Sequence, residues 1–551
     1  MAMPAYGAQQ NYEQDAVNNA KAAQSLLNVQ DKAREKIDDT LRQSLDTKQK
    51  RVATEQIPTV SVVGGELPSF QVTEILLKGC TRLSQGVQKD ILMNYIGRPL
   101  NINDINQLIS ELTRKYYSLG YITVHIFLPK QNLKTGILEI QVEEGVLDHF
   151  IGVWLSSETQ MWAAFPELKG KPVNVRDLEQ GLEQLNRLPS NHVIMTLLPS
   201  DAIPGGTVVV IKNNPWKKTS GTVRFDNFQD NTLSIYPTSL DVIADNILSF
   251  NDQWDLTYSQ RSKDQNQFQN SYRLLTTVGF GFFTPKISYS YFNYTTLIDG
   301  TSRSFISSGT NKAFQVGLDY VMHRDAVSKT VIQVDYASKD SDNYIEESLI
   351  GVNSNAFRDV IFTLQQTQFG EWGSWSGTLG FTMGTQKLKY TEDEIAQYPD
   401  VPLSFSYRKI TGELNYATQW ETLQPSVRIS GQYGFDALHA TQGFSVGDYA
   451  SVRGFSRPFV GDSGLSGSVK ISYPLNWAGI GWSLYHAVDA GVSWVNNQWS
   501  TGGRAYAASA VSGIVFRDPD WSLEGVIAKG VIGAGVPVEN AQYYVSVVRF
   551  F

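Results

Sequence analysis

The chain of 551 residues carries a net charge of -8, with a sequence pI near 5.4, which argues against nucleic acid as a partner. No run approaches 18 consecutive apolar residues, so a bundle of membrane helices is excluded, while a mean hydropathy of -0.23 suits strands wetted on one face. The single cysteine, Cys80, cannot form an internal disulfide and has no Cys/His cluster around it; it reads as a buried apolar residue near a strand end.

The chain opens M-A-M-P without a charged-then-apolar leader, so the signal peptide that an exported protein needs is expected to be missing from this sequence. Residues 11 to about 50 contain neither Gly nor Pro and are dense in Ala, Leu, Gln, Lys and Glu, which reads as helix. Its apolar stripe (Ala16, Ala20, Ala23, Leu27) is weak, and so polar a helix is marginal alone in water. It is either a solvated linker or a plug lying in an aqueous lumen. Pro58, Gly64, Gly65 and Pro68 mark a linker.

From Phe70 the pattern predicts a strand to Leu77, helices over 84–96 and from Asn103 to about Tyr117, then strands over Tyr121–Phe127 and Ile137–Val142. The order recurs with strands at Leu147–Trp154, His192–Leu198 and Thr207–Ile211 and helices around 160–167 and Val175–Leu188. K-P-V-N-V-R-D-L-E-Q from Lys171 answers R-P-L-N-I-N-D-I-N-Q from Arg98, so the two units repeat. A small three-stranded sheet backed by two helices leaves an open edge, which can recruit an extended chain.

Beyond residue 218 the sequence alternates. Trp254, Leu256 and Tyr258 share one face against Asp255, Thr257 and Ser259; Leu414, Tyr416, Thr418 and Trp420 repeat the pattern, as do Val427, Ile429, Tyr433 and Phe435. A soluble sandwich would bury that face against a second sheet, whereas an outer-membrane barrel turns it to lipid. The 26 Tyr, 26 Phe and 12 Trp favour the barrel, as girdles at two lipid interfaces would need them. The final Y-Y-V-S-V-V-R-F-F suits a closing strand. At about 20 residues per strand and turn, the stretch gives roughly 16 antiparallel strands.

One connection, 438–465, is unusually long and carries G-D-Y-A-S-V-R-G-F-S-R-P-F from Gly447. Its apolar content favours a loop folded back into the lumen. Arg453 there needs a carboxylate, and Asp489 shares the face of Gly491 and Ser493 rather than that of Val488, Val492 and Trp494. The competing reading leaves Arg453 and Arg457 as solvated loop arginines. None of the six histidines has metal-ligand spacing with another, and no nucleophile elbow or phosphate loop appears, so no catalytic, cofactor or metal site is expected. His192, His486 and Asp489 are the nearest to a scattered hydrolase triad.

V-R-G-F at Val452–Phe455 and V-D-A-G at Val488–Gly491, with R-K-Y-Y-S-L-G-Y-I-T at 114–123 and D-L-E-Q-G-L-E-Q-L-N-R-L-P at 177–189, resemble the TpsB transporters of two-partner secretion in the Omp85 superfamily, and among them those serving haemolysins and contact-dependent inhibition toxins. The resemblance implies a plug helix (1–32), a linker (33–68), two POTRA domains (69–145 and 146–213) and a transmembrane antiparallel β-barrel of 16 strands (214–551). It implies a lumenal motif of Val452, Arg453, Gly454 and Phe455, with Arg453 paired to the wall residue Asp489 beside Gly491. Phe551 would be a signal for the barrel-assembly machinery, although Arg549 departs from the usual apolar alternation. The implied function is export, without ATP, of an unfolded TpsA-type exoprotein taken up by the POTRA domains from the periplasm. The other implied partners are outer-membrane lipid and, during biogenesis, periplasmic chaperones. An insertase of the same superfamily and a small-molecule channel or receptor are the alternatives. The two repeated domains and the strand count favour secretion.

Overall fold

The computed structural model describes residues 68–155, 157–228, 238–264, 267–299, 303–389, 404–477, 480–496 and 503–551. The expected plug helix and all of the linker but its last residue lie outside them.

The first repeat unit holds β1 (Glu74–Lys78), α1 (Gln85–Leu92), α2 (Ile102–Ser118), β2 (His125–Phe127) and β3 (Ile137–Glu143). Its sheet order is β1-β3-β2, with β1 parallel and β2 antiparallel to β3. Asn101 starts α2: its side chain accepts from the N–H groups of Asn103 (2.8 Å) and Asp104 (3.0 Å), and the Asp104 carboxylate accepts from the Asn101 N–H (2.9 Å). The helix therefore begins ahead of the Asn103 start that the sequence suggests. Ile105, Leu108, Leu112 and Tyr116, at helical spacing, pack into one core with Ile75, Leu138, Ile140 and Val142 of the sheet. The strand expected over 121–127 shortens to three residues, because the Tyr121 N–H turns back to the Tyr116 carbonyl (3.0 Å) to close α2.

The second unit repeats the plan with β4 (Leu147–Val153), α3 (Glu158–Ala164), α4 (Val175–Asn186), β5 (Val193–Pro199) and β6 (Thr207–Asn213), in the order β4-β6-β5. The junction is bonded: the Val175 N–H donates to the Gly120 carbonyl (2.9 Å) and Asn174 Nδ2 to that of Leu119 (3.1 Å). Just before it, Glu144 ties β3 to the loop after β1. Its carboxylate accepts from the Thr81 hydroxyl, from the N–H groups of Thr81 and Arg82 (each 2.8 Å) and from the Tyr116 hydroxyl (2.6 Å). Burial pushes this carboxyl up, but those donors outweigh it and hold it below its ordinary value. Cys80 is half-buried beside the Tyr116 hydroxyl, 3.2 Å away.

Among the described residues seventeen strands close the barrel, one of them a two-residue spur (Ser348–Leu349), which leaves sixteen long wall strands from β7 (Thr219–Asp226) to β22 (Gln542–Phe550). Leu256, Ile287, Phe314, Leu379, Leu414 and Ile429 are exposed on the outer face, whereas the inward Asp359, Ser466 and Asp489 are buried. The ring closes where β22 pairs with β7, from Ser546↔Asp226 to Phe550↔Thr222, and Phe551 extends the seam by two backbone bonds with Gly221 (each 3.0 Å). Arg549 stands at the end of that strand, paired with Asp520 (3.2 Å) and lying over the Trp521 ring (4.9 Å). An interfacial arginine beside an aromatic accounts for the break in the apolar alternation.

The second unit is bolted to the barrel rim. Gln180 and Gln184 donate to the Gly281 carbonyl (3.0 and 2.8 Å), Arg187 to Thr277 Oγ1 (2.6 Å), and the Ser190 N–H to Asp245 (2.8 Å). Glu183 pairs with Arg324 and Lys329 at the ends of β12 (Ser304–Arg324) and β13 (Ser328–Ile345). Burial raises the Glu183 carboxyl, and the two cations more than reverse that, leaving it low.

Candidate functional site: a lumenal hairpin staked to the wall

The long connection lies between β17 (Gln424–Gly434) and β18 (Ser463–Trp477). It is a hairpin in its own right: Phe444–Val446 pairs antiparallel with Phe459–Gly461, and the motif occupies the tip. Near its base, Lys409 Nζ donates to the Gln442 carbonyl (3.0 Å), as does Gln432 Nε2 (2.8 Å), and the Leu438 N–H donates to Asp462 (2.8 Å).

At the tip, Arg453 makes the fork that the sequence suggested. Its Nε and Nη2 donate to the two Asp489 carboxylate oxygens at 2.7 and 2.9 Å, and its own backbone N–H reaches the same carboxylate at 3.3 Å. Asp489, on β19 (Ile480–Trp494), is 1% exposed and the Arg453 side chain 14%. The guanidinium also lies 6.0 Å above the Tyr449 ring. Arg457, by contrast, is exposed.

The other motif residues fill slots made by missing side chains. Val452 is fully buried against Gly491, where a Cβ would stand 3.0 Å from Val452 Cγ2. Phe455 lies on Gly530 of β21 (Trp521–Ala534), where a Cβ would meet its ring at 2.8 Å. Gly454 has φ +90°, and an added Cβ would strike the β21 backbone near Ala528 and Gly530 at about 3 Å, so glycine is required twice over. Its N–H donates to the Tyr544 hydroxyl (3.2 Å). Val446, Val452 and Phe455 thus join Ala505, Ala507 and Val536 in an apolar cluster inside a polar lumen. Tyr449 stacks on Phe228 (4.3 Å) and meets Tyr544 edge-on (4.9 Å), which adds a second cluster.

All the motif positions, Val452 to Phe455 with Asp489 and Gly491, therefore meet at one place, and Phe551 lies apart at the seam. Gly530, Tyr544 and Tyr449 escaped the sequence reading; the small inward residues of A-K-G-V-I-G-A-G from Ala528 were the available signal. His486 projects on the wall face opposite to Asp489, where it touches Tyr473 (3.0 Å) and Ser512 (2.9 Å), and His192 belongs to the second repeat unit, so the hydrolase grouping is not assembled.

Comparison with known proteins agrees with this architecture. The profile of the haemolysin secretion/activation protein ShlB/FhaC/HecB family matches residues 205–516, more than half of the chain, and POTRA profiles match residues 70–145 (ShlB-type) and 151–199. Outer membrane transporter CdiB of Dickeya dadantii is 27% identical over 424 residues, 74% of this chain and 73% of that protein. Hemolysin transporter protein HpmB of Proteus mirabilis is 25% identical over 529 residues, 93% and 91% of the two chains. The solved structures of CdiB from Escherichia coli and from Acinetobacter baumannii superpose with TM-scores of 0.81 and 0.76 at 22% and 21% identity, each covering 94% of this chain and 98% of the other. With its two POTRA domains, sixteen-stranded barrel and lumenal hairpin, this chain belongs to the ShlB/FhaC/HecB family of outer-membrane TpsB transporters.

Proposed function

We propose that this chain is the pore of a two-partner secretion pair, which takes an unfolded TpsA-type exoprotein from the periplasm and delivers it to the cell surface. The observation that carries the reading is the Arg453–Asp489 fork, which holds an ordered hairpin inside a closed barrel above two sheets with open edges. The POTRA domains stand in the periplasm, and the cargo enters by adding a strand to one of their edges. Contact-dependent inhibition toxins and haemolysin or adhesin exoproteins are the cargo classes that the relatives' names suggest. Residues 1–32 plug the resting pore, and Val452, Arg453, Gly454 and Phe455 with Asp489 and Gly491 seat the hairpin.

Transport is driven by folding of the cargo outside rather than by nucleotide hydrolysis, and the chain acts as a conduit, not an enzyme. During biogenesis periplasmic chaperones escort the chain, and the barrel-assembly machinery reads the strand ending at Phe551. The test is secretion of the large exoprotein encoded beside this gene, measured in supernatant and periplasm with and without this chain. Release that depends on the intact chain supports the reading; periplasmic retention both with and without it, despite a correctly assembled barrel, either rejects that neighbour as cargo or favours the insertase alternative.

A further inference from the structure

Trp162 belongs to α3 of the second POTRA domain, yet its ring meets the barrel. Its centroid lies 5.1 Å from that of Phe280 and 6.1 Å from that of Phe250, both edge-on. Those two residues sit in the periplasmic turns on either side of β9 (Asp252–Asp264) and β10 (Gln267–Val278). Phe280 is bridged to Phe283, each N–H donating to the other's carbonyl (2.9 and 2.8 Å), and residues paired in this way project to one face of the sheet. Phe283 faces outward, because it is exposed and stacks on Tyr320 (4.9 Å), which shares its side of the strand with the exposed Val316 and Leu318. Trp162 therefore extends, from a periplasmic domain, a row of rings on the lipid side of the barrel's lower rim.

The helix is fastened there by three bonds. The Ala163 carbonyl accepts from the Gly281 N–H (2.8 Å), the Gln160 carbonyl from Asn251 Nδ2 (2.9 Å), and Ser157 Oγ donates to the Ser249 carbonyl (3.0 Å). Next to it, the turn before β9 exposes Ile247 (60%) and Leu248 (63%), and Trp162 itself is 53% exposed. Large apolar side chains with an indole, at the ends of lipid-facing strands, have the composition of an interfacial belt.

We propose that α3 is an interfacial membrane anchor: Trp162, with Ile247, Leu248 and Phe250, lies in the headgroup–acyl boundary of the periplasm-facing phospholipid leaflet. The indole suits that layer, since its body is apolar and its N–H reaches lipid oxygens. The bilayer then fixes the orientation of the second POTRA domain together with the rim bonds. The inference requires a barrel in a membrane and is independent of what the pore carries.

The test uses the full chain with Cys80→Ser, reconstituted in phosphatidylethanolamine/phosphatidylglycerol nanodiscs. Single cysteines are placed by Trp162→Cys, by Thr159→Cys one turn away on the same helix face with Trp162 kept, by Ile247→Cys, and by Met93→Cys in the first POTRA domain. Each carries a small fluorophore, challenged with a lipid-borne spin label just below the headgroup or with aqueous iodide. Labels at 162, 159 and 247 are expected to lose about half of their emission to the lipid-borne quencher and to be shielded from iodide, with the reverse at 93. Lipid quenching at 247 with iodide quenching at 159 and 162 would overturn the proposal, since the membrane would then end at the barrel turn. Iodide quenching at all of them would overturn it too. Should Trp162→Cys fail to assemble, the 159 label decides.

Discussion

Replacing Arg453 by alanine removes both guanidinium bonds to Asp489 and leaves a carboxylate that is 1% exposed. Breaking a buried pair from one side costs about 3–5 kcal/mol. A lumen that admits water toward the bared Asp489 places this case near the lower figure. The loss falls on the hairpin rather than on the wall, because strand pairing on both sides of Asp489 uses backbone groups that the substitution does not touch. At about 1.4 kcal/mol per decade, the detached hairpin gains roughly a hundredfold in population. Hydrogen exchange across Phe444–Val446 and Phe459–Gly461 reads this directly, and proteolysis at the tip gives a second measure. Exchange there is expected to quicken by about that factor while the wall strands stay protected, and secretion is expected to fall at equal surface level. Arg453→Ala with Asp489→Ala together should lose less than Arg453→Ala alone, since no charge is then stranded. Unchanged exchange in the hairpin, or equal secretion by Arg453→Ala at equal surface level, would refute the reasoning.

Gly530→Val drives a side chain into the Phe455 ring and should cost the seated hairpin about 1–3 kcal/mol in the same exchange experiment. Gly412→Ala, on the outer face with its nearest neighbour 4.0 Å away, should change nothing. Glu183→Gln weakens the pairs with Arg324 and Lys329, so cross-linking between α4 and the turn after β12 should lose yield while barrel heat-modifiability is kept. The depressed Glu144 carboxyl stabilises the first POTRA domain fully above the unfolded value near about 4.3, and this contribution disappears as pH falls through the lower folded value. Thermal unfolding of that domain, followed down to about pH 3, should therefore fall more steeply for the native chain than for Glu144→Gln. Tyr116→Phe, which removes one donor to that carboxylate, should cost about 1.5–3 kcal/mol at neutral pH by the same measurement.

The barrel was legible because period-two alternation is a backbone property that survives in any register: Trp254 and Leu256 announce an outward face whatever they pair with. Strand ends were less so. The missing half of β2 follows from Tyr121 capping α2, a choice made by tertiary packing around Tyr116. The chemistry of a lumenal guanidinium asks for a carboxylate and parity puts Asp489 on a suitable face, but both leave a solvated Arg453 open, and it is the family resemblance that implies the pair. The receiving half of the site was harder, because Gly530 and Gly491 act through the atoms they lack, and an absent side chain looks the same in a turn, a bulge or a slot. The docking of α4 was hidden for another reason: Gln180, Gln184 and Arg187 are polar side chains of a kind that any helix surface carries, and only the nearby carbonyls of the rim turn them into an interface.

The hairpin carries its own ladder, and this sets the thermodynamic character of its release. A loop that unravelled on leaving the wall would recover about 1–2 kcal/mol of backbone entropy per residue, and each re-seating would have to repay it. A hairpin that leaves as a unit recovers little, so its two positions are separated mainly by its contacts with the wall: one ion pair, one hydroxyl, two glycine slots and the packing on Ala505, Ala507, Val536, Phe228 and Tyr544. Such an element behaves as a catch with few degrees of freedom, able to re-engage without a search through chain conformations and ready for the next passage.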